Sequence, residues 1–300
     1  MQPLDNQILI VGNGRTAQRH IANLLLLGYQ HSTLGDASKS GQNVADKLIK
    51  SEKDWSRLSA RSWDVAFISP SEQINLEPIL QLLEGGTHCL IEPGMPLTND
   101  EAEKLKEAAL LSKASLQFSF PYRWHPLAVY TCNQLTKELN GDFLSFEVQR
   151  IEPNQDLITE PFEAAKCYAE CADILLFITQ AALQSTHVVN ASQTNQSIYL
   201  ASVNRLNKGY TGAIQIASTP FEPAFILRLR MAKQDWELDL HNGTLKIRRN
   251  SGTQLFQPEA ADKNRLYIHL MVEFLEKCGA RKPLYSVKEI EHYLSIQPYN

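Results

Sequence analysis

The sequence has no surplus of charge of either sign: 29 lysines and arginines stand against 33 aspartates and glutamates in 300 residues, a formal net charge of −4. A general nucleic-acid binder and a protein held on an anionic membrane both need a basic surface, so neither class fits. Long apolar runs are missing too. The longest, such as Ile21–Gly28 and Ile174–Thr179, fall far short of the ~20 residues that cross a bilayer. Met1-Gln-Pro-Leu-Asp has neither the basic nor the apolar segment of a secretory leader, and a cytoplasmic chain is expected. The five cysteines, Cys89, Cys132, Cys167, Cys171 and Cys278, are odd in number and scattered. Cys167 and Cys171 share a helix face, yet no second Cys/His pair at zinc spacing accompanies them. Reduced, buried thiols and no metal are the expectation. No G-x-S-x-G elbow, H-E-x-x-H pair, Walker sequence, internal repeat or low-complexity segment occurs.

What is present suits a globular chain of two domains, or one large one: 43% of residues are apolar and 21% charged. Gln7–Val11 (QILIV) reads as a strand, Gly12-Asn-Gly-Arg-Thr-Ala17 as a tight turn, and Gln18–Leu27 as a helix. In a G-x-G-x-x-A turn, Gly12 permits the sharp bend, Gly14 lets a pyrophosphate approach the backbone, and Ala17 lets the helix pack on the strand. The helix N-terminus then offers free N–H groups and its positive dipole end to the phosphates. Ser32–Leu34 is a second strand candidate, and Asp36 follows it. An acid there accepts hydrogen bonds from an adenosine ribose and repels a 2′-phosphate. That favours NAD(H) over NADP(H), although Ser38 and Lys39 leave a phosphate site open.

The alternation continues with strands at Trp63–Ser69, His88–Ile91 and Leu116–Phe120. Helices are expected at Leu76–Leu83 and at Glu101–Ser112, the latter capped by Thr98 or Asn99. Strands alternating with helices predict a parallel sheet with ligands beyond the strand C-terminal ends. The second half reads differently. Phe143–Ile151, Ser197–Asn204, Ala213–Ser218, Phe225–Met231, Trp236–His241 and Thr244–Arg249 are strand candidates, with His241-Asn-Gly-Thr244 as a hairpin turn. Their alternation predicts one covered face and one that is wet or in an interface.

The order of these pieces resembles the glucose–fructose oxidoreductase/inositol dehydrogenase-like (Gfo/Idh/MocA) family over nearly the whole chain. Val11–His20 (VGNGRTAQRH) is similar to its VGxGxxGxxH opening, and Asp64–Ala109 to the stretch holding its E-K-P motif and the next helix. Tyr122–Pro126 (YRWHP) resembles its Y-R-F-x-P segment, and Leu270–Leu294 its closing helices. The resemblance implies an NAD(P)-binding Rossmann-type domain at residues 1–122. It implies an α+β domain with an open, mostly antiparallel sheet at 123–300, the last helix packing on the first domain. The activity implied is hydride transfer to or from a small polar substrate such as a sugar or cyclitol derivative. The partner implied is a further copy of the chain, through the second sheet. The cofactor residues implied are Gly12, Asn13, Gly14, Arg15, Thr16, Asp36, Ser69 and Pro70, with Glu92 near the nicotinamide.

The departures concern the chemistry. Family members that move hydride carry lysine in E-K-P and a histidine in a D-x-x-x-H-x-x-D helix, the acid/base groups that an alcohol oxidation requires. Here Pro93 stands at the lysine position, and the helix reads Lys166-Cys-Tyr-Ala-Glu170-Cys-Ala-Asp173. Asp173 matches the last acid and Glu170 replaces the histidine. Lys166, Glu170 and Asp173 share one helix face, so Lys166 is a candidate for the missing ammonium and Glu170 for a base. An ordinary helical salt bridge between Lys166 and Glu170 is the competing reading. Tyr122, His125 and Tyr168 are further proton donors, and Arg123, Asp173 and Tyr168 are substrate-binding candidates. Catalysis at a rebuilt site, nucleotide or metabolite binding without turnover, and chemistry without net redox all stay open. Glu152 and Asp156 read as loop acids. Arg228/Arg230 and Arg248/Arg249 read either as an anion-attracting group or as a solvated stripe.

Overall fold

The computed structural model describes residues 7–12, 15–29, 32–35, 49–52, 58, 61–69, 76–138, 143–153, 161–193, 197–219, 222–258, 262–279 and 286–297. The chain divides into two compact units, Met1–Ser119 with Leu270–Leu294, and Phe120–His269 with Ser295–Asn300.

The first unit is built on a six-stranded sheet of order β3-β2-β1-β4-β5-β6. Its strands are β1 (Ile8–Val11), β2 (Ser32–Gly35), β3 (Ile49–Glu52), β4 (Val65–Ile68), β5 (His88–Ile91) and β6 (Leu116–Phe118), and every pairing is parallel. β1 and β4 are short runs of Val, Ile, Leu, Ala and Phe with every residue buried, as strands covered on both faces should be. β1 lies between β2 and β4, where the strand order reverses; open α/β sheets bind ligands at that switch point. β3 (IKSE) has no apolar alternation, and nothing in its sequence singles it out.

Helix α1 (Arg15–Leu26) begins earlier than its apolar spacing suggests and buries Ala17, Ile21 and Leu24. α2 (Leu76–Glu84) and α3 (Asn99–Ser112) pack on each other. α3 opens with a reciprocal cap: Thr98 Oγ1 accepts from the Glu101 N–H, and the Glu101 carboxylate accepts from the Thr98 N–H at 2.8 Å. From Leu270 onward, α6 (Lys263–Gly279) adds Leu270, Met271, Phe274 and Leu275 to the core formed by Ile8, Ile10, Phe67 and Leu90. α7 (Ser286–Ser295) stacks Tyr293 on Phe118 with ring centroids 3.9 Å apart.

The second unit holds an eight-stranded sheet of order β14-β13-β12-β11-β7-β10-β9-β8. These strands are β7 (Phe143–Pro153), β8 (Leu183–Gln193), β9 (Ile198–Leu206), β10 (Thr211–Thr219), β11 (Ala224–Met231), β12 (Gln234–Asp239), β13 (Thr244–Arg249) and β14 (Gly252–Phe256). All pairs are antiparallel except β7–β10. The β12–β13 hairpin turns at Leu240–Gly243, where Gly243 takes a φ of +68° and the Asp239 carboxylate accepts from the His241 and Asn242 N–H groups. Edge strands β8 and β14 are additions to the strands expected from sequence; polar and mostly exposed, they lack a half-buried alternation. α4 (Pro126–Glu138) and α5 (Pro161–Thr179) pack together, and α5 lies against β7 and β10. On the covered side sit Phe146, Val148, Ile214, Ile216, Leu227 and Leu229, all buried. Among the described residues no helix is long and apolar enough to cross a membrane.

Candidate functional site

In the first unit the geometry is made by main chain. Gly12 follows β1 with a φ of +122°, and a Cβ built there would stand 2.7 Å from the Ser69 carbonyl oxygen. Any side chain would therefore push apart the ends of β1 and β4, which are joined by the Ser69 N–H donating to the Val11 carbonyl at 2.9 Å. Arg15 and Thr16 open α1 immediately afterwards. Ser69 is buried, and its hydroxyl has no hydrogen-bond partner among the described residues. Asn13, Gly14, Asp36 and Pro70 lie outside the described residues.

Glu92 continues β5, where its N–H donates to the Ile68 carbonyl at 2.8 Å. Its carboxylate is buried, 3.2 Å from His20 Nε2 and 3.9 Å from the Arg19 guanidinium. Both partners come from α1, so the residue after β5 is tied to the helix that follows the glycine turn. Gly94 has a φ of +128°. The Tyr293 hydroxyl accepts from the Gly94 N–H at 2.8 Å and donates to the Met95 carbonyl at 2.7 Å. Burial pushes this phenol up, so it stays a donor at any ordinary pH.

In the second unit the polar centre is made by side chains. Arg150, on the covered face of β7, is buried and donates to Glu170 of α5 through Nη1 and to Glu152 through Nε at 2.7 Å. Its guanidinium lies 5.1 Å from the centroid of the Phe225 ring and 5.7 Å from that of Tyr122. Burial works against the Arg150 charge, but Cys167, Glu170, Tyr122 and Glu152 outweigh it. The same burial penalty on Glu152 is overcome by Arg150, Lys263 and His241, which leave its carboxyl below the usual range. Tyr122 is pushed up by burial, while Arg150 and Lys263 pull the other way. Glu170 is 2% exposed, and its Oε1 has no hydrogen-bond partner among the described residues.

This corrects the sequence in two places. Glu152 is no loop acid: it stands on β7 in the same strand phase as Arg150. Glu170 takes Arg150 as its partner in place of a helical salt bridge with Lys166. The signal for Arg150 was available, since it shares the parity of Phe146 and Val148, and a charge in the apolar phase of a strand calls for a buried counter-charge.

Arg123 grips Asp173 with Nε 3.0 Å from both carboxylate oxygens and with a further short contact through Nη2. Such fork-shaped pairing fixes both groups. Lys166 is buried on the same face of α5. His125 is buried, caps α4 by accepting the Leu127 N–H on Nδ1 at 3.2 Å, and falls to about 4 through burial, with the Leu240 backbone opposing in part. It is neutral at pH 7. The Tyr168 hydroxyl donates to Asn204 Oδ1 at 2.7 Å and accepts from Ser202 at 3.3 Å, a network that binds α5 to β9. Cys167 and Cys171 are buried thiols, and burial pushes Cys167 up to about 12.

Arg228, Arg230 and Arg248 belong to the sheet's outer face, while Arg249 has the strand phase of Leu245 and Ile247 and donates to Gln234 and Gln254. Arg228 pairs with Glu237 and Glu147, Arg230 with Asp235, and Arg248 with Glu237, so the solvated stripe describes them and the anion-attracting reading does not. Among the described residues no group of three or more His, Cys, Asp or Glu could hold a metal ion.

No family model and no curated protein matches this chain. Solved structures do. The UDP-N-acetylglucosamine 3-dehydrogenase GnnA of Acidithiobacillus ferrooxidans is similar with a TM-score of 0.77 at 19% identity, over 96% of this chain and 94% of that one. A levoglucosan dehydrogenase in complex with NADH and levoglucosan has a TM-score of 0.77 at 12% identity, over 97% and 95% of the two chains. Biliverdin reductase from Synechocystis sp. PCC 6803, in complex with biliverdin and NADP+, has a TM-score of 0.74 at 14% identity, over 97% and 96%. At these identities the likeness establishes a shared fold along nearly the whole chain.

Proposed function

We propose that the chain is an NAD(P)-dependent oxidoreductase acting on a small polar substrate, such as a sugar or cyclitol derivative, and an atypical member of the Gfo/Idh/MocA family. The observation that carries this reading is the Gly12 turn: a strand end at the sheet's switch point with no room for a Cβ, followed at once by a helix N-terminus. That cradle fits a dinucleotide pyrophosphate, and the unpartnered Ser69 hydroxyl at the next strand end adds a donor. The structural relatives with NADH and NADP+ support the same reading. Asp36 gives the preference for NAD(H).

A bound nicotinamide dinucleotide supplies or accepts a hydride. The chain must then manage a proton, and Pro93 has none to give. In this reading Glu170 takes over. Arg150 holds one of its oxygens, so Oε1 is left to accept a hydrogen bond, or the proton, from a substrate hydroxyl. Lys166 supplies a cation on the same helix face, and the Arg123–Asp173 pair forms a rigid wall for substrate polar groups. Tyr168 and His125 are assigned to packing, because their hydrogen bonds run to the protein's own sheet and backbone.

A second reading, nucleotide binding without turnover, is favoured by the arginine partners of Glu170 and Asp173. Calorimetric titration of nucleotide-free protein with NADH and NADPH tests the first step. Micromolar NADH binding, weaker NADPH binding and loss of both in Gly12→Val are expected. No binding to folded wild-type protein overturns the cofactor reading. Binding without hydride exchange across a panel of sugars and cyclitols favours the second.

A further inference from the structure

The parallel sheet of the first unit ends in a row of four residues. Val11, Ile68, Ile91 and Phe118 are lateral neighbours at the last paired positions of β1, β4, β5 and β6. One step further, Gly12, Ser69, Glu92 and Ser119 repeat the row. The Ser69 N–H donates to the Val11 carbonyl at 2.9 Å, the Glu92 N–H to Ile68 at 2.8 Å and the Ser119 N–H to Ile91 at 2.8 Å. Neighbouring strands lie about 4.8 Å apart, so the row runs about 14 Å along the carboxyl edge. Ligands of open α/β sheets lie against that edge.

The members of the row have different commitments. Gly12 and Ser69 form the tight turn, and the Glu92 carboxylate is tied to α1 through His20 and Arg19. Ser119, at the far end, is fully buried, and its hydroxyl has no hydrogen-bond partner among the described residues. Two residues earlier on β6, and so on the same face, Gln117 is buried with its Oε1 equally unpartnered. The opposite face of β6 is apolar: Leu116 and Phe118 are buried, and Phe118 stacks on Tyr293. Apolar residues on both faces would be the stable choice for a covered parallel strand, because a buried polar group without a partner loses its water for nothing.

We propose that Ser119 and Gln117 hold the carboxamide of a nicotinamide ring, which presupposes the dinucleotide binding proposed for the Gly12 turn. The order of strands assigns the two halves of such a ligand. Asp36, the candidate for the adenosine ribose, follows β2 on one flank of β1, so the nicotinamide half belongs to the other flank, β4 to β6. Ser119 and Gln117 are at the end of that flank. A primary carboxamide has one acceptor oxygen and an NH2 with two donors. The Ser119 hydroxyl can donate to the oxygen, and Gln117 Oε1 can accept from the NH2. A carboxylate in place of the carboxamide would turn an oxygen toward Gln117 Oε1 and bring a second negative charge near Glu92, so the pair also selects nicotinamide over nicotinate.

Calorimetric titration of folded, nucleotide-free protein with three probes tests this: NADH, ADP-ribose, which lacks the ring, and the reduced nicotinate analogue, which has a carboxylate for the carboxamide. Wild type is expected to bind NADH about 10-fold or more tightly than either of the others. Ser119→Ala and Gln117→Met should each erase most of the preference over ADP-ribose and leave ADP-ribose affinity unchanged. Gln117→Met should also narrow the gap to the nicotinate analogue. Circular dichroism confirms that each variant folds. Equal affinity of wild type for NADH and ADP-ribose overturns the proposal, as does a preference that survives both substitutions. Variants that lose ADP-ribose as much as NADH overturn it too, because the two residues then only support the fold. If folded wild type binds none of the three, the dinucleotide reading itself has failed, and the carboxamide site with it.

Discussion

The polar centres of the two units are built from different materials. In the first, the turn at Gly12 and Ser69 is main chain against main chain, and the contacts around Glu92 and Gly94 anchor further backbone turns. In the second, side chains set the geometry. Arg150, Glu152 and Glu170 hold one another, with Tyr122 and Phe225 as walls. A main-chain site depends on a few residues that must be small or must bend. A side-chain site depends on charges that must be mutually compensated. The first tolerates changes in neighbouring side chains; the second fails as a unit when one member is lost.

The sharpest way to test that contrast is Arg150→Met. It leaves two carboxylates without their shared cation, and the loss expected in urea unfolding is about 3–5 kcal/mol. Adding Glu170→Gln should recover part of it. A single-variant loss below about 1 kcal/mol would mean that the carboxylates find other partners, and the contrast would fall.

Acid probes the second unit in another way. His125 is neutral in the folded chain down to about 4, while an unfolded histidine gains its proton near 6.5. Between those values the unfolded chain binds the extra proton. The stabilisation is therefore complete above 6.5 and lost as pH falls toward 4, by roughly 3 kcal/mol in all. His125→Asn, which can still accept the Leu127 N–H, should flatten that part of a stability–pH profile. An unchanged slope would place the titrating group elsewhere.

The smallest effect belongs to the main-chain centre. Tyr293→Phe removes the hydroxyl that serves both Gly94 and Met95 but keeps the ring on Phe118. A loss of about 1–2 kcal/mol in thermal unfolding is expected. If the loss matches that of Arg150→Met, the turn after β5 depends on its side-chain anchor as heavily as the second unit depends on its ion pairs.

How legible each centre was in the sequence follows the same division. Strand, glycine turn and helix at Ile8–Leu26 are local, and periodicity with the Gly12 signal located them. The β12–β13 hairpin was legible for the same reason, although its turn, expected at His241–Thr244, falls one residue earlier at Leu240–Gly243. Short β3 and the exposed edge strands β8 and β14 were not, because their pairing partners supply the reason for their conformation. Helical spacing put Lys166, Glu170 and Asp173 on one face of a helix, and all three are buried on α5. The partners of the two acids were not legible: Arg150 lies 20 residues from Glu170, and Arg123 lies 50 from Asp173.

By itself, then, the sequence determined the alternation of strands and helices, the tight turn after β1 and the helix face that carries the acids. These depend on residue size, backbone freedom and spacing along a few neighbouring positions. The tertiary structure decided which cation each buried acid would receive, and that the arginines of the outer sheet face would be paired across strands with Glu147, Asp235 and Glu237. Those outcomes depend on which strands become neighbours, and strand order is settled only when the whole sheet closes its hydrogen bonds and buries its apolar face.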